Sequence, residues 1–272
     1  MSTIAMKLTR LVNGLTLPYA EAGYPGGVPV VFVHGLGESW ASFEPVLRRL
    51  PATLHGWAPT QRGHRDAGRP DGGYRPEDFA ADLVSFLDAA GIGRAVLVGS
   101  STGGVTARMV AGSHPDRVAG LVLCGVPATL EGKPHLAALG ERIALLRDPL
   151  DQEAVEPFVS GLTVRPVDLA FLDRLREDAV HTPAEVWQES FRGLLETDLQ
   201  ATMAGILVPT MVIWGDQDPV LPRADQDQQV KAVHGSRLVV YEGTGHCVHW
   251  EEPGRVTADV ARFAADLGLI PT

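Results

Sequence analysis

Apolar residues along this chain switch repeatedly between a strand-like and a helix-like pattern. Arg10-Leu11-Val12 and Leu15-Thr16-Leu17-Pro18-Tyr19 flank Asn13-Gly14, the dipeptide favoured in a type I′ turn, so the chain is expected to open on a β-hairpin. Val28–Val33 is a β-branched apolar run, the pattern of a strand covered on both faces. A helix is expected around Phe43–Leu50 and a strand near Thr53–Ala58. Pro76 stands at a first helical position, and Phe79, Leu83, Phe86 and Leu87 repeat at helical spacing as far as Gly91. Arg94–Val98 then reads as a buried strand, followed by a helix to about Ser113 and the strand Gly120–Cys124.

After Pro127 the alternation stops. From Ala128 to Ile206 only helical periodicity is visible, as in Leu136, Leu139, Ile143 and Leu146 and again in Val186, Trp187, Phe191 and Leu194. Strand and helix signals then resume with Pro209–Trp214, Ala224–Val233, Arg237–Tyr241 and an amphipathic segment over Pro253–Leu267. Strands alternating with helices imply a mostly parallel sheet with helices on both faces. A core formed by residues 1–127 and 207–272, interrupted by a helical insertion over 128–206, is the expected organisation. Ligand sites in such sheets lie at the carboxyl ends of the strands.

The polar signals cluster at those ends. Gly99-Ser100-Ser101-Thr102-Gly103-Gly104 joins the Arg94–Val98 strand to the next helix. A serine at the apex of a strand–turn–helix bend, with glycine two before and two after, is the nucleophile elbow, which makes Ser101 the candidate nucleophile. A serine hydroxyl is a weak nucleophile at neutral pH and needs a base, an orienting acid and donors for the oxyanion. His246, in Gly243-Thr244-Gly245-His246 after the last strand, is the candidate base. Both Asp216 and Asp218, in the Gly215–Pro222 loop, are placed to be the acid, and spacing does not separate them. The order serine, aspartate, histidine is the one found with this elbow. Two backbone N–H groups would form the oxyanion hole: that of Thr102 at the helix start, and that of Leu36 in His34-Gly35-Leu36-Gly37.

The remaining candidates have bland rivals. Trp187 and Phe191, four apart, share a helix face that either walls a pocket or packs as core, and Phe158 carries the same ambiguity. Gly35, Trp40, Ser100 and Val220 lie next to the motifs and are candidate substrate contacts. Glu38 is either a helix cap or a contact for a polar substrate, with the cap favoured, and Cys124 and Cys247 read as small buried hydrophobes.

Composition narrows the class. The chain has 272 residues, 45% of them hydrophobic, which supplies a large core. A net charge of −10 argues against nucleic acid or an anionic membrane as main partner. No 18-residue apolar run is present. Met1–Lys7 lacks a basic region followed by an apolar one, and two cysteines make no disulfide framework, so a reduced cytoplasmic setting is expected. No metal or organic cofactor is implied. A homodimer is compatible with this composition.

Together these residues resemble the α/β-hydrolase superfamily over nearly the whole chain. The match rests on His34–Gly37, Gln61-Arg62-Gly63-His64, the Gly99–Gly104 elbow, Gly215–Pro222 and Gly243–His246. The resemblance implies an eight-stranded, mostly parallel sheet and a helical cap like that of enol-lactonases, cofactor-free haloperoxidases and carboxylesterases. It also favours Asp218 over Asp216, because the family acid stands where Asp218 does, before Pro219. Three positions depart from the family. Ser100 replaces a common His or Trp, Thr102 replaces a common Met or Gln, and Arg65 stands where a small residue is frequent. Ser100 and Thr102 are expected to line the pocket floor. An aspartate at the elbow would have implied an epoxide hydrolase or haloalkane dehalogenase. Ser101 implies acyl chemistry instead: a small-molecule carboxylic ester or lactone as substrate. A C–C bond hydrolase, a perhydrolase, a ligand receptor and a cofactor-free cyclase or acyltransferase are the alternatives.

Overall fold

The computed structural model describes residues 2–270. Eight strands form one sheet: β1 (Ala5–Arg10), β2 (Thr16–Gly23), β3 (Val28–Val33), β4 (Leu54–Pro59), β5 (Ala95–Ser100), β6 (Val118–Cys124), β7 (Thr210–Gly215) and β8 (Arg237–Tyr241). Their spatial order is β1-β2-β4-β3-β5-β6-β7-β8. β2 runs antiparallel to both its neighbours, and every pair from β4 to β8 is parallel. The helices among the described residues are α1 (Glu44–Leu47), α2 (Pro76–Ala89), α3 (Ser101–Ser113), α4 (Pro134–Leu145), α5 (Gln152–Val155), α6 (Leu169–Val180), α7 (Ala184–Glu196), α8 (Ala201–Ala204), α9 (Arg223–Ala232), α10 (Val248–Glu251) and α11 (Pro253–Asp266).

The apolar runs of the central strands divide between two layers, because successive side chains leave a strand on opposite faces. Val31, Val33, Leu97, Leu121 and Leu123 pack with Phe86 of α2 and Val105 of α3. Val30, Phe32, Val98 and Val122 pack on the other face with Phe43, Val256 and Phe263. Both layers are closed to water, which is why these strands are apolar throughout rather than alternating. A third cluster lies within the insertion between β6 and β7, built on Ile143, Leu172, Leu175 and Trp187 and completed by Trp250 of the core. The end of that insertion behaves differently. Leu199, Met203 and Ile206 join the sheet layer beside α3.

The opening turn is wider than the Asn13-Gly14 dipeptide predicts. A type I′ turn needs two left-handed residues, and here Gly14 is left-handed (φ +86°) while Asn13 is not. The Leu11 N–H donates to the Leu15 carbonyl at 2.8 Å, which closes a longer loop. Asn13 is drawn away by Asp82, to which its amide donates at 2.8 Å. The helix expected over Phe43–Leu50 is shorter and starts earlier, as a 3-10 turn over Trp40–Phe43 leading into α1.

Candidate active site

The elbow is a point of backbone strain. Ser101 has φ +50°, a left-handed conformation that few non-glycine residues adopt. Close packing holds it there. A Cβ added to Gly103 would meet the His34 carbonyl oxygen at 2.2 Å, and one on Gly99 would meet Gly104 Cα at 2.5 Å. Glycine at both positions lets α3 sit hard against the end of β3, which brings the start of α3 and the His34–Gly37 loop together. The Thr102 N–H belongs to the first helical turn, which has no intrahelical acceptor. Among the described residues neither that N–H nor the Leu36 N–H has a hydrogen-bond partner. Both Leu36 and Thr102 lie on the wall of the cavity that contains Ser101.

His246 lines the same cavity. Its Nδ1 lies 2.9 Å from Asp218 Oδ2. A carboxylate only accepts, so Nδ1 carries the proton and Nε2 is left as the basic nitrogen. Asp218 is fixed in turn, with its Oδ1 accepting the N–H groups of Val220 (2.8 Å) and Leu221 (2.9 Å). Asp216 instead accepts the Gly243 N–H at 2.6 Å and ties the β7 loop to the β8 loop. Of the two carboxylates, Asp218 is therefore the one in contact with His246. Ser101 Oγ and His246 share the cavity without a hydrogen bond between them, a contact that often tightens only when substrate binds. His249 is no rival: it is fully buried, stacked on Phe43 with centroids 4.4 Å apart, and bonded to Ser42.

The His246 amide N–H donates to the Leu162 carbonyl at 2.9 Å, so backbone of the insertion holds the loop of the candidate base. Asp178, on α6, holds the insertion at a second point by bonding both Ser39 and Arg65. Arg65, one of the family departures, is itself left-handed at φ +42°.

Burial works to lower the His246 pKa, but the charge and hydrogen bond of Asp218 and the charge of Glu38 outweigh it, so it lies above the usual histidine value of 6.5. A base must be neutral to accept a proton. With His246 as the base, the acid limb of kcat/KM is therefore expected above pH 6.5, activity falling as pH drops through the raised His246 pKa. Glu38→Gln removes one of the raising charges and should move the limb to lower pH. A pH–rate profile of both proteins reads this, and an unmoved limb would remove Glu38 from the balance.

The cavity measures about 340 Å³, within the usual range for small-molecule sites. Phe158, Trp187, Phe191 and Val220 line it, with Leu36, Thr102 and Arg142. Trp187 does two jobs, since it also belongs to the apolar cluster of the insertion. Its indole lies over Gly37, where φ is +77° and an added Cβ would meet the ring at 2.1 Å. Gly37→Ala should thus both strain the turn and displace Trp187. The expected loss is about 2–4 kcal/mol of stability, measured by denaturant midpoint.

Three expected contacts are absent from the wall. Trp40 is half-buried against the layer of Phe43 and Val46, because Ser39 caps the 3-10 turn and makes Trp40 its first residue. Ser100 is fully buried at the end of β5, paired in register with Cys124, and only Thr102 of the two elbow departures faces the cavity. Gly35 is turned inward, and its N–H donates to Glu38 Oε2 at 3.0 Å. Glu38 is not the helix cap. It folds back on that loop, lines the cavity, and is pushed above the usual carboxylate range by burial. Cys124 and Cys247 are buried free thiols, the first pushed up to about 12 and the second well above its ordinary value, so neither is a nucleophile at neutral pH.

A sheet of this topology, with a strained serine after its fifth strand and a histidine after its last, defines an α/β hydrolase. The sequence profile of the alpha/beta hydrolase fold matches residues 28–253, and the chain belongs to that family. Epoxide hydrolase A of Mycobacterium tuberculosis is 30% identical over 94% of this chain and 96% of its own length. The 3-oxoadipate enol-lactonase 2 of Acinetobacter baylyi is 25% identical over 93% of this chain and 94% of its own. Among solved structures, an esterase from Exiguobacterium antarcticum superposes with a TM-score of 0.86 at 21% identity, covering 96% of this chain and all of that one. The likeness to that structure is one of fold.

Proposed function

We propose that this hydrolase cleaves carboxylic esters or lactones through an acyl-enzyme on Ser101. Ser101 Oγ attacks the carbonyl carbon and His246 Nε2 takes its proton. Asp218 keeps the imidazole in the required tautomer and stabilises its cation. The Leu36 and Thr102 N–H groups receive the oxyanion, a donor pair of which each member is worth about 2.7–4 kcal/mol in the transition state. His246 then protonates the leaving oxygen, and a water deprotonated by His246 releases the acid. The insertion over 128–206 acts as the cap that supplies Phe158, Trp187 and Phe191 to the substrate.

One observation carries this reading: a strained Ser101 shares a cavity with a His246 whose Nδ1 is held by Asp218. It also weighs against the epoxide chemistry named for the mycobacterial relative. A serine opening an epoxide would form an ether, which has no carbonyl for water to attack, and the enzyme would stop after one event. Acyl transfer to serine leaves an ester, which water can cleave.

The test is a stopped-flow burst with p-nitrophenyl butyrate. One equivalent of p-nitrophenol should appear before the steady state, with a butyryl group found on the Ser101 peptide by mass spectrometry. Turnover without acylation of Ser101 would defeat the proposal.

A further inference from the structure

A second, smaller cavity of about 30 Å³ lies beside the main one and shares Leu36, Thr102 and Leu194 with it. One water needs about 10–15 Å³, so the space admits a group of one or two heavy atoms. Three of its lining residues carry a buried polar atom with no hydrogen-bond partner: Gln61 Oε1, His64 Nε2 and Ser190 Oγ. Leaving such an atom unpaired costs about 1–3 kcal/mol, and three around one small space mark a site built for a polar group.

The partners of these side chains fix what that group must be. Gln61 Nε2 donates to the His34 carbonyl at 2.7 Å, which leaves Oε1 as a free acceptor. His64 Nδ1 donates to the Arg62 carbonyl at 2.9 Å, which leaves Nε2 with a lone pair. Burial pushes the His64 pKa down to about 4, so the ring is neutral at pH 7. Ser190 adds a hydroxyl that both donates and accepts. The lining side chains therefore hold two unpaired acceptors and one unpaired hydroxyl. No carboxylate lines the cavity, so an ammonium group would be desolvated without a counter-charge. The fitting group is an uncharged donor, small enough to be a hydroxyl.

Position assigns the hydroxyl to one side of the substrate. The small cavity touches both residues proposed as oxyanion donors but not His246 or any residue of the β7 and β8 loops. The leaving oxygen must go to His246 to be protonated, so a group in the small cavity belongs to the acyl part. Resting on the acyl-transfer reading above, we propose that Gln61, His64 and Ser190 form a specificity subsite for a hydroxyl on a short acyl chain, making hydroxyacyl esters the preferred substrates. Ser190 lies on α7 of the insertion and the other two residues lie after β4, so the subsite bridges insertion and core.

The test compares ethyl 3-hydroxybutyrate and ethyl 4-hydroxybutyrate with ethyl butyrate and ethyl pentanoate, following acid release. At least one hydroxylated ester should exceed its alkyl counterpart tenfold or more in kcat/KM, and Ser190→Ala should reduce that ratio at least fivefold. Equal rates for both kinds of ester would overturn the subsite, as would a preference that survives Ser190→Ala. Equilibrium binding to Ser101→Ala protein separates this proposal from the acyl-enzyme. If no ester is turned over, the acyl-enzyme reading fails, while tighter binding of the hydroxylated ester still supports the subsite and equal binding overturns it.

Discussion

Ser101→Ala is expected to lower kcat on p-nitrophenyl butyrate by about 10⁴–10⁶-fold while the folded state persists. Alanine has a Cβ like serine, so it meets the same strain at φ +50° and the elbow keeps its shape. Ser101 Oγ makes no hydrogen bond among the described residues, and its loss orphans no partner. The proposed oxyanion donors remain, so a small residual rate over water is expected rather than zero. Ser101→Gly provides the control for strain. Glycine accepts a left-handed backbone freely, and this variant should gain about 1 kcal/mol of stability while being equally inactive. Turnover within tenfold of wild type in Ser101→Ala, with an unchanged circular dichroism spectrum, would mean that another group attacks.

Asp218→Asn carries the second large effect, about 10⁴-fold in kcat. The replacement keeps its Oδ1 facing the N–H groups of Val220 and Leu221, which leaves the amide Nδ2 facing His246 Nδ1. Two donors cannot share that contact. The imidazole must move its proton to Nε2, the nitrogen proposed to accept the proton of Ser101. Asp216→Asn keeps an acceptor for the Gly243 N–H and should change kcat by less than about threefold, as a surface substitution does. Steady-state kinetics on the pair decides the assignment, and the reverse pattern would transfer the role to Asp216.

The legible parts of this chain are those in which local chemistry and tertiary placement agree. β3 and β5 to β7 are β-branched or apolar over nearly their whole length because both faces are covered, and the runs mark them directly. The elbow is legible because close approach to the His34 carbonyl tolerates only glycine at position 103. Asp216 and Asp218 are two apart in one turn, and only the pairing of each with a distant loop distinguishes them. Trp40 and Glu38 are legible as neighbours of the His34–Gly37 loop but not in direction. The Ser39 cap starts the 3-10 turn at Trp40, which sends the indole to the core, while Glu38 just before the cap folds back to the cavity. No local pattern groups Ser190 with Gln61 and His64, since more than a hundred positions separate it from that pair and a lone serine on a helix carries no signal of its own. Gln61 and His64 are marked only by their place in Gln61-Arg62-Gly63-His64, a family-matching segment just after the buried strand β4.

The hydrogen bond from the His246 amide to the Leu162 carbonyl has a consequence for protein engineering. Grafting the insertion of a relative onto this core would exchange more than the shape of the pocket. It would also replace the foothold of the histidine, so a chimera could bind a new substrate well and still be slow. A graft that retains residues 160–166 from this chain, where Leu162 and Arg165 clasp the histidine loop and Glu251, keeps the imidazole in register whatever walls are built around it.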